Sequence, residues 1–301
     1  MTLNELRYVA AVAREKNFRR AAERCFVSQP ALSLAIRKLE NELGVQIFER
    51  GRTKVALTAN GVRIVEQAQR ALDEVARIRE IAQAGKDPLA GALRLGVIHT
   101  VGPYLLPELI PVLQKLAPRM PLEVEEDVTA NLETGLKNGR LDAIVVALPF
   151  AGPGVATRAL YDEAFEVVVP RAHAWAKRPS VKASELAGER VLLLDVGHCF
   201  SDQVVDTCPE LLQRGDRQQG NSLETIRNMV ASGLGVTVLP ASANEGKYRS
   251  PLTRVVPFAR PEPKRRIGLA WRRAFARPQA IDALVEAVRA VRLPGLQIVR
   301  R

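Results

Sequence analysis

The sequence predicts an α/β protein built from a small helical module, one long helix and a larger two-lobed body. Apolar residues recur at helical spacing up to about residue 84, and strands alternate with helices from Leu89 onward. Gly85–Pro88 breaks the pattern between these regions. The predicted parts are residues 1–58, 59–87 and 88–301, with one lobe near 88–163 and 269–301 and the other near 164–268.

The first module is predicted to be a winged helix-turn-helix. Helices are expected over residues 3–15 and 18–25, followed by a third helix that Ser28 caps. Such a third helix fits the DNA major groove, and a basic wing follows it. The predicted DNA-binding residues are Gln29, Pro30, Ser33 and Arg37 in the helix and Arg50 and Arg52 in the wing. The alternative is an ordinary helical hairpin with a solvated charged face.

A single long helix is predicted from Thr58 to about Ala84. Its apolar residues step by four and three positions, which is the seam of a coiled coil. The seam consists of Ile64, Ala68, Ala71, Val75, Ile78 and Ala82. Because one helix cannot bury this seam alone, a second copy of the chain is expected to cover it.

The body is predicted to form two Rossmann-like lobes, similar to periplasmic binding proteins. Strands are expected at residues 93–98, 122–128, 143–148, 165–169, 191–194, 236–239 and 267–271, and helices at 105–117, 130–138, 223–232 and 278–291. Ligands of open α/β sheets bind beyond the carboxyl ends of strands. Thr100 and Thr129 follow strands of one lobe and Cys199 follows a strand of the other, so a shared cleft is expected. Taken alone, each threonine would more often be a helix cap.

Two of the three cysteines lie in the segment Gly197–Cys208. Beside His198, Cys199 can be kept partly as the thiolate that attacks oxidants, and Cys208 can close a disulfide with it. The apolar residues between them fall on one face of a helix. A helix would hold the two Cα atoms about 13 Å apart, whereas a disulfide needs about 7 Å or less. The spacing therefore predicts a redox switch that cannot stay helical when oxidised.

Composition limits the other possibilities. The hydrophobic content of 47% over 301 residues supports sizeable cores, but no run of about 18 apolar residues would span a membrane. The net charge of +11 favours a polyanionic partner. Because the N-terminus lacks a signal-peptide pattern, we expect a reducing, cytoplasmic compartment in which any disulfide is transient.

The N-terminal module resembles that of LysR-type transcriptional regulators. The resemblance is carried by Phe18–Ala22, Ser28–Ser33, Ile36, Leu39–Glu40, Leu43–Gly44, Leu57–Thr58 and Gly61. It extends over the whole chain as a winged helix-turn-helix, a linker helix and a two-lobed regulatory domain. It implies that the partners are double-stranded DNA, further copies of the chain in a homotetramer, and RNA polymerase.

Within that family, the segment from Gly197 to Cys208 resembles OxyR-type hydrogen peroxide sensors. The resemblance implies that hydrogen peroxide oxidises Cys199 to a sulfenic acid, which Cys208 resolves as a disulfide. It implies a peroxide pocket formed by Thr100, Thr129, His198, Asp202 and Arg266. It also implies control of antioxidant genes, reversal by a cellular thiol reductant, and no metal or cofactor.

Three other functions fit parts of the pattern. The cleft of a LysR-type regulator could instead bind a small metabolite, with the cysteines incidental and only filling space. A dithiol peroxidase is opposed by the helix-turn-helix, so we expect no enzyme. A periplasmic solute-binding protein is opposed by the missing signal sequence. A structural zinc site is disfavoured because the cysteines form no C-x-x-C pair.

Overall fold

The structure is a computed structural model that describes residues 1–49, 55–84, 87–195, 197–207, 209, 219–293 and 295–299. It divides into two compact units, Met1–Gln83 and Ala84–Arg301. The first is helical, and the second alternates strands with helices, so the predicted fold class is confirmed.

The helices of the first unit form where the sequence predicts them. They are α1 (Leu3–Glu15), α2 (Phe18–Arg24), α3 (Gln29–Leu43) and α4 (Ala59–Ala84). The side chain of Asn17 accepts a hydrogen bond from the Arg20 amide, and that of Ser28 accepts one from the Ala31 amide, so both act as N-caps. The chain leaves α2 one residue earlier than predicted and turns at Phe26, whose φ is 57°.

A buried carboxylate joins α3 to the segment before the wing. Glu40 accepts hydrogen bonds from the amides of Ile47 and Phe48, at 2.7 and 3.2 Å. Phe48 then pairs with Leu57 in an antiparallel bridge. Residues 50–54 lie outside the described part of the chain, and they include the predicted wing residues Arg50 and Arg52.

The apolar seam of α4 is used in two ways. Its N-terminal members Ile64, Ala68 and Ala71 pack on the core of the first unit. Farther along, Ile78 is 66% exposed. The part of the seam beyond Ala71 is therefore the part that a partner helix would cover. None of the described helices is both long and apolar enough to cross a membrane.

The second unit contains strands and helices in alternation. The strands are β1 (Leu93–Ile98), β2 (Leu122–Asp127), β3 (Ala143–Leu148), β4 (Val155–Pro170), β5 (Val191–Leu194), β6 (Gln219–Gly220), β7 (Val236–Pro240), β8 (Thr253–Pro257), β9 (Lys264–Arg272) and β10 (Leu296–Ile298). The helices are α5 (Gly102–Leu116), α6 (Thr129–Lys137), α7 (Cys199–Thr207), α8 (Leu223–Ala231) and α9 (Pro278–Ala290). Short 3-10 helices span Ala174–Lys177, Ala183–Gly188, Ala241–Asn244 and Gly246–Tyr248.

One long strand joins the two lobes. The main path of strands runs β2-β1-β3-β9-β4-β7-β5-β6. Val155–Ala164 of β4 pairs with β9 in the first lobe, and Phe165–Pro170 pairs with β7 and β8 in the second. The change of partner between Ala164 and Phe165 lies within one residue of the predicted lobe boundary at 163–164. β9 already pairs with β3 at Arg266, a few residues before the predicted return to the first lobe at 269.

Each lobe has its own apolar core, and two side chains reach across. Tyr104 of α5 is buried in the core of the second lobe, where it packs edge-on against Tyr248 at 4.9 Å between ring centroids. In the opposite direction, Cys199 of α7 packs against the core of the first lobe. The chemistry of the thiol therefore depends on residues from both lobes.

Candidate functional site

Cys199 is the first residue of α7, just beyond the carboxyl end of β5. The turn between them passes through Gly197, whose φ of 105° is a conformation that side-chain-bearing residues rarely adopt. The hydroxyl of Ser201 donates to the carbonyl of Leu194 at 2.9 Å, which ties the first turn of α7 to the end of β5. The beginning of α7, which carries the thiol, is thus joined to the end of β5 by a side-chain hydrogen bond.

Helix α7 runs from Cys199 to Thr207, so the predicted helix is confirmed over this interval. Phe200 and Val204 are buried in the second-lobe core. The rise of an α-helix separates the Cα atoms of Cys199 and Thr207 by about 12 Å. A disulfide needs Cα atoms within roughly 7 Å, so the C-terminal end of α7 lies beyond disulfide reach of Cys199. Cys208 itself lies outside the described residues.

Thr129 is brought to the thiol, as expected for two strand ends that face each other. Its Oγ1 donates to the Sγ of Cys199 at 3.5 Å. Although Thr129 was predicted to act partly as a helix cap, the N-cap of α6 is Val128, and no side chain caps this end. The hydroxyl does not cap α6, and its hydrogen bond goes to the sulfur instead.

Thr100 lies in a buried ionic network. Its Oγ1 and its carbonyl oxygen accept hydrogen bonds from the two terminal nitrogens of Arg265, at 2.8 and 2.9 Å. Arg265 is 1% exposed and also pairs with the fully buried Glu163 at 2.8 Å. Its guanidinium lies over the ring of Phe200 at 5.1 Å, and Phe200 is the residue that follows Cys199. Thr100 is therefore linked to Cys199 indirectly, through Arg265 and Phe200.

Arg266 lies on the other side of β9. It donates to both carboxylate oxygens of Asp162, at 2.6 and 2.9 Å, and its side chain is 52% exposed. Arg266 holds the pKa of Asp162 below its ordinary range. The residue predicted for the peroxide pocket is thus engaged at the cavity rim, whereas its neighbour Arg265 is the one buried beside Thr100.

His198 packs at a tilt against a second imidazole, from the other lobe. The rings of His198 and His99 lie 5.6 Å apart, and His99 Nδ1 is 3.8 Å from a carboxylate oxygen of Glu126. Burial, and then the neighbouring His99, lowers the pKa of His198 from its ordinary value of 6.5. His198 is therefore neutral at pH 7 and does not supply the positive charge that stabilises a thiolate.

The thiol opens onto a cavity of about 810 Å³ between the lobes. The lining residues are Thr129, Ala147, Leu148, Pro149, Phe150, Thr157, Asp162, Cys199, Gln203, Asp206, Lys264, Arg265 and Arg266. Asp202, predicted for the pocket, is exposed and does not line it, whereas Gln203 does. The Oε1 atom of Gln203 is buried and has no hydrogen-bond partner among the described residues.

Sequence reasoning missed several members of this cavity. Gln203 follows Cys199 by four positions, so helical spacing alone would have placed it beside the thiol. Lys264 and Arg265 stand directly before Arg266 in a basic run. No group of three or more His, Cys, Asp and Glu side chains within the described ranges is arranged to hold a metal ion.

The predicted DNA-contacting side chains of the first unit lie on α3. Gln29, Pro30 and Arg37 are exposed. Ser33 is half-buried, and its Oγ lies 3.5 Å from the side-chain Nε2 of Gln29, which donates to it. Lys38 is also exposed on this helix. The outer side of α3 thus presents hydrogen-bonding and cationic groups, as a recognition helix requires.

Two family matches cover most of the chain. Residues 3–62 match the bacterial regulatory helix-turn-helix proteins of the lysR family, and residues 86–292 match the LysR substrate binding domain. The DNA-binding transcriptional dual regulator OxyR of Escherichia coli strain K12 is 40% identical, over 96% of this chain and 95% of that protein.

The chain is also similar in fold to solved structures of OxyR proteins. A cysteine-to-aspartate variant of full-length OxyR from Pseudomonas aeruginosa is 49% identical, with a TM-score of 0.73 over 97% of this chain and 99% of that one. A cysteine-to-serine variant of Corynebacterium glutamicum OxyR, bound to hydrogen peroxide, is 33% identical, with a TM-score of 0.66. It covers 95% of this chain and 91% of that chain.

Because Arg265 is buried and Arg266 is half-exposed, we expect their substitution to lower the stability of the protein by very different amounts. Arg265→Met leaves Glu163 buried without its cation and should lower the free energy of unfolding by about 3–5 kcal/mol. Arg266→Met removes a solvent-exposed partner of Asp162 and should change it far less. Urea unfolding followed by tryptophan fluorescence measures this, because both tryptophans, Trp175 and Trp271, lie in the second unit. Equal losses for the two variants would contradict the assignment.

Proposed function

The chain belongs to the LysR family of bacterial transcriptional regulators, among the hydrogen peroxide-inducible genes activators, and we propose that it senses peroxide through a reversible Cys199–Cys208 disulfide. The observation that carries this proposal is the environment of Cys199. Its thiol receives a hydrogen bond from Thr129 and opens onto a cavity lined by Arg265 and Arg266. In this proposal the thiolate is the form that reacts, because it is the nucleophilic form of a thiol.

The proposed reaction consumes one peroxide molecule and two thiols. The Cys199 thiolate attacks one peroxide oxygen, the O–O bond breaks, and the leaving hydroxide takes up a proton to form water. The resulting sulfenic acid is attacked by the thiolate of Cys208, which forms the S–S bond and releases a second water after protonation. Peroxide is reduced by two electrons, and the thiols are oxidised by two.

Several side chains are placed to bind peroxide. Arg265 can donate a hydrogen bond to a peroxide oxygen from the cavity wall, and the hydroxyl oxygen of Thr129, whose proton goes to Sγ, can accept one from a peroxide O–H group. The unpaired Oε1 of Gln203 can accept a hydrogen bond from its O–H groups. In this proposal Thr100 positions the site by holding Arg265, and His198 contributes as a neutral imidazole. A cellular dithiol reductant reverses the reaction in a cytoplasmic setting, and no cofactor takes part.

Oxidation would change the protein beyond the site. Because the disulfide is incompatible with α7, Phe200 and Val204 must leave the second-lobe core, which exposes or rearranges apolar surface. That surface can alter contacts between copies of the chain. In a homotetramer joined partly through the exposed end of the α4 seam, such a change would alter the spacing of DNA-bound modules and the recruitment of RNA polymerase to antioxidant genes.

The size of the cavity supports a second function, the binding of a small metabolite. The cavity volume of about 810 Å³ is large for peroxide and falls within the range of small-molecule sites. A regulator that binds a small metabolite there, with incidental cysteines, would make no use of the thiol. The two functions differ in what peroxide does to the protein.

Mapping of the thiols before and after oxidation distinguishes the peroxide sensor from the metabolite-binding regulator. After treatment with stoichiometric peroxide, mass spectrometry of the wild type should show a bond between Cys199 and Cys208 and an altered DNA footprint, whereas Cys199→Ser should show neither. Cys25, which lies in the other unit, should remain a free thiol in both proteins. An unchanged footprint in the oxidised wild type, or a bond to Cys25, would rule out the proposed sensor.

Replacing the hydroxyl at the thiol should slow the reaction. Thr129→Val loses the donor to Sγ, which raises the free energy of the thiolate, so oxidation at pH 7 should slow about tenfold, the effect of a hydrogen bond to a charged group. Stopped-flow measurement of peroxide consumption gives the rate. Thr157→Val is the matched control, because Thr157 also lines the cavity but is exposed. A similar rate loss in both variants would show that the hydrogen bond is unimportant.

A further inference from the structure

The outer face of α3 carries a large apolar side chain among its polar ones. Leu34 is 68% exposed. Pro30 lies one turn before it and Lys38 one turn after it, and Arg37 is three positions on, so these exposed residues share its face. The buried residues of α3 lie on the opposite side, against the core of the first unit. Leu34 thus occupies the middle of the exposed face of α3 that carries the predicted DNA-binding residues.

Single exposed apolar residues are common on protein surfaces, so exposure alone assigns no role to Leu34. The position of Leu34 on this face does indicate a role. The only apolar group that base pairs present in the major groove is the C5 methyl group of thymine. A leucine side chain cannot hydrogen-bond, but it can bury that methyl group. It also penalises other bases, because an isobutyl group pressed on a polar base edge displaces water without replacing its hydrogen bonds.

We propose that Leu34 reads a thymine methyl group in the major groove and makes the chain select an A·T pair at that position. The inference rests on the proposed DNA-binding function and extends it to one base-specific contact. Arg37, on the same face, supplies hydrogen bonds to an acceptor-rich base or to phosphate. Leu34 adds an apolar contact that forms only where the base carries a methyl group, as thymine does.

The test begins with duplexes selected by the reduced full-length protein from a randomised pool. In the selected duplex, each thymine is replaced in turn by deoxyuridine, which removes the methyl group and keeps base pairing intact. The wild type should bind about fourfold more weakly at one thymine position per half-site, the effect of burying one methyl-sized group. Leu34→Ala should bind the thymine and deoxyuridine duplexes equally at that position, and its own selected sites should lose the thymine preference there.

Leu43→Ala is the matched control, because Leu43 is also an exposed leucine of α3, at 40%, but lies at its C-terminal end. This variant should keep the sensitivity of the wild type to deoxyuridine, and thermal unfolding should be the same for all three proteins. Equal deoxyuridine effects in the wild type and Leu34→Ala would overturn the inference. Sequence-specific binding without any deoxyuridine effect would also overturn it while leaving DNA binding intact. A wild type that selects no sequence would count against both the inference and the proposed function.

Discussion

Helix α7 and a disulfide that begins at its first residue exclude each other. The helix places the Cα atom of Thr207 about 12 Å from that of Cys199, and no covalent adjustment of one residue closes such a gap. Yet the same helix is anchored through Phe200 and Val204 in the second lobe. If Cys199 and Cys208 form the proposed disulfide, its formation would therefore break apolar packing and backbone hydrogen bonds together. A local redox change would then become a structural change, because the helix cannot absorb it by bending.

The buried pair of Arg265 and Glu163 explains how the surroundings of Cys199 are held in place. The ion pair connects β9 to β4. Arg265 also donates a hydrogen bond to Thr100, in the loop after β1, and packs over the ring of Phe200. Such a desolvated pair is costly unless its hydrogen bonds are satisfied. Here Glu163 also accepts a hydrogen bond from the Ser242 amide, so the network is extended on both sides. The result is a thiol whose neighbours are fixed in place from both lobes.

Much of this arrangement could be predicted from the sequence, and the exceptions have physical reasons. Caps and apolar spacing were sufficient for α3 and α7, since both signals are local. The choice between Arg265 and Arg266 depends on which face of β9 is buried. Arg265 alternates with the buried Ile267 and Leu269, so period-two spacing would have identified it as the inward-facing arginine.

Other features depend on contacts that no local pattern encodes. Whether Thr129 caps a helix or binds a thiol depends on the approach of another lobe. β8 and β10 are short strands that pair with β4. Their few residues carry little alternation, so the sequence offered no signal for them. The neutrality of His198 likewise comes from burial beside His99, which is distant in the chain.

Amide hydrogen exchange of α7 in the two redox states tests the central claim most directly. In the reduced protein, the amides of residues 203–207 should be protected by the helix. After stoichiometric peroxide that protection should be lost in the wild type and retained in Cys199→Ser treated in the same way. A disulfide-bonded wild-type protein with unchanged protection across α7 would contradict the account.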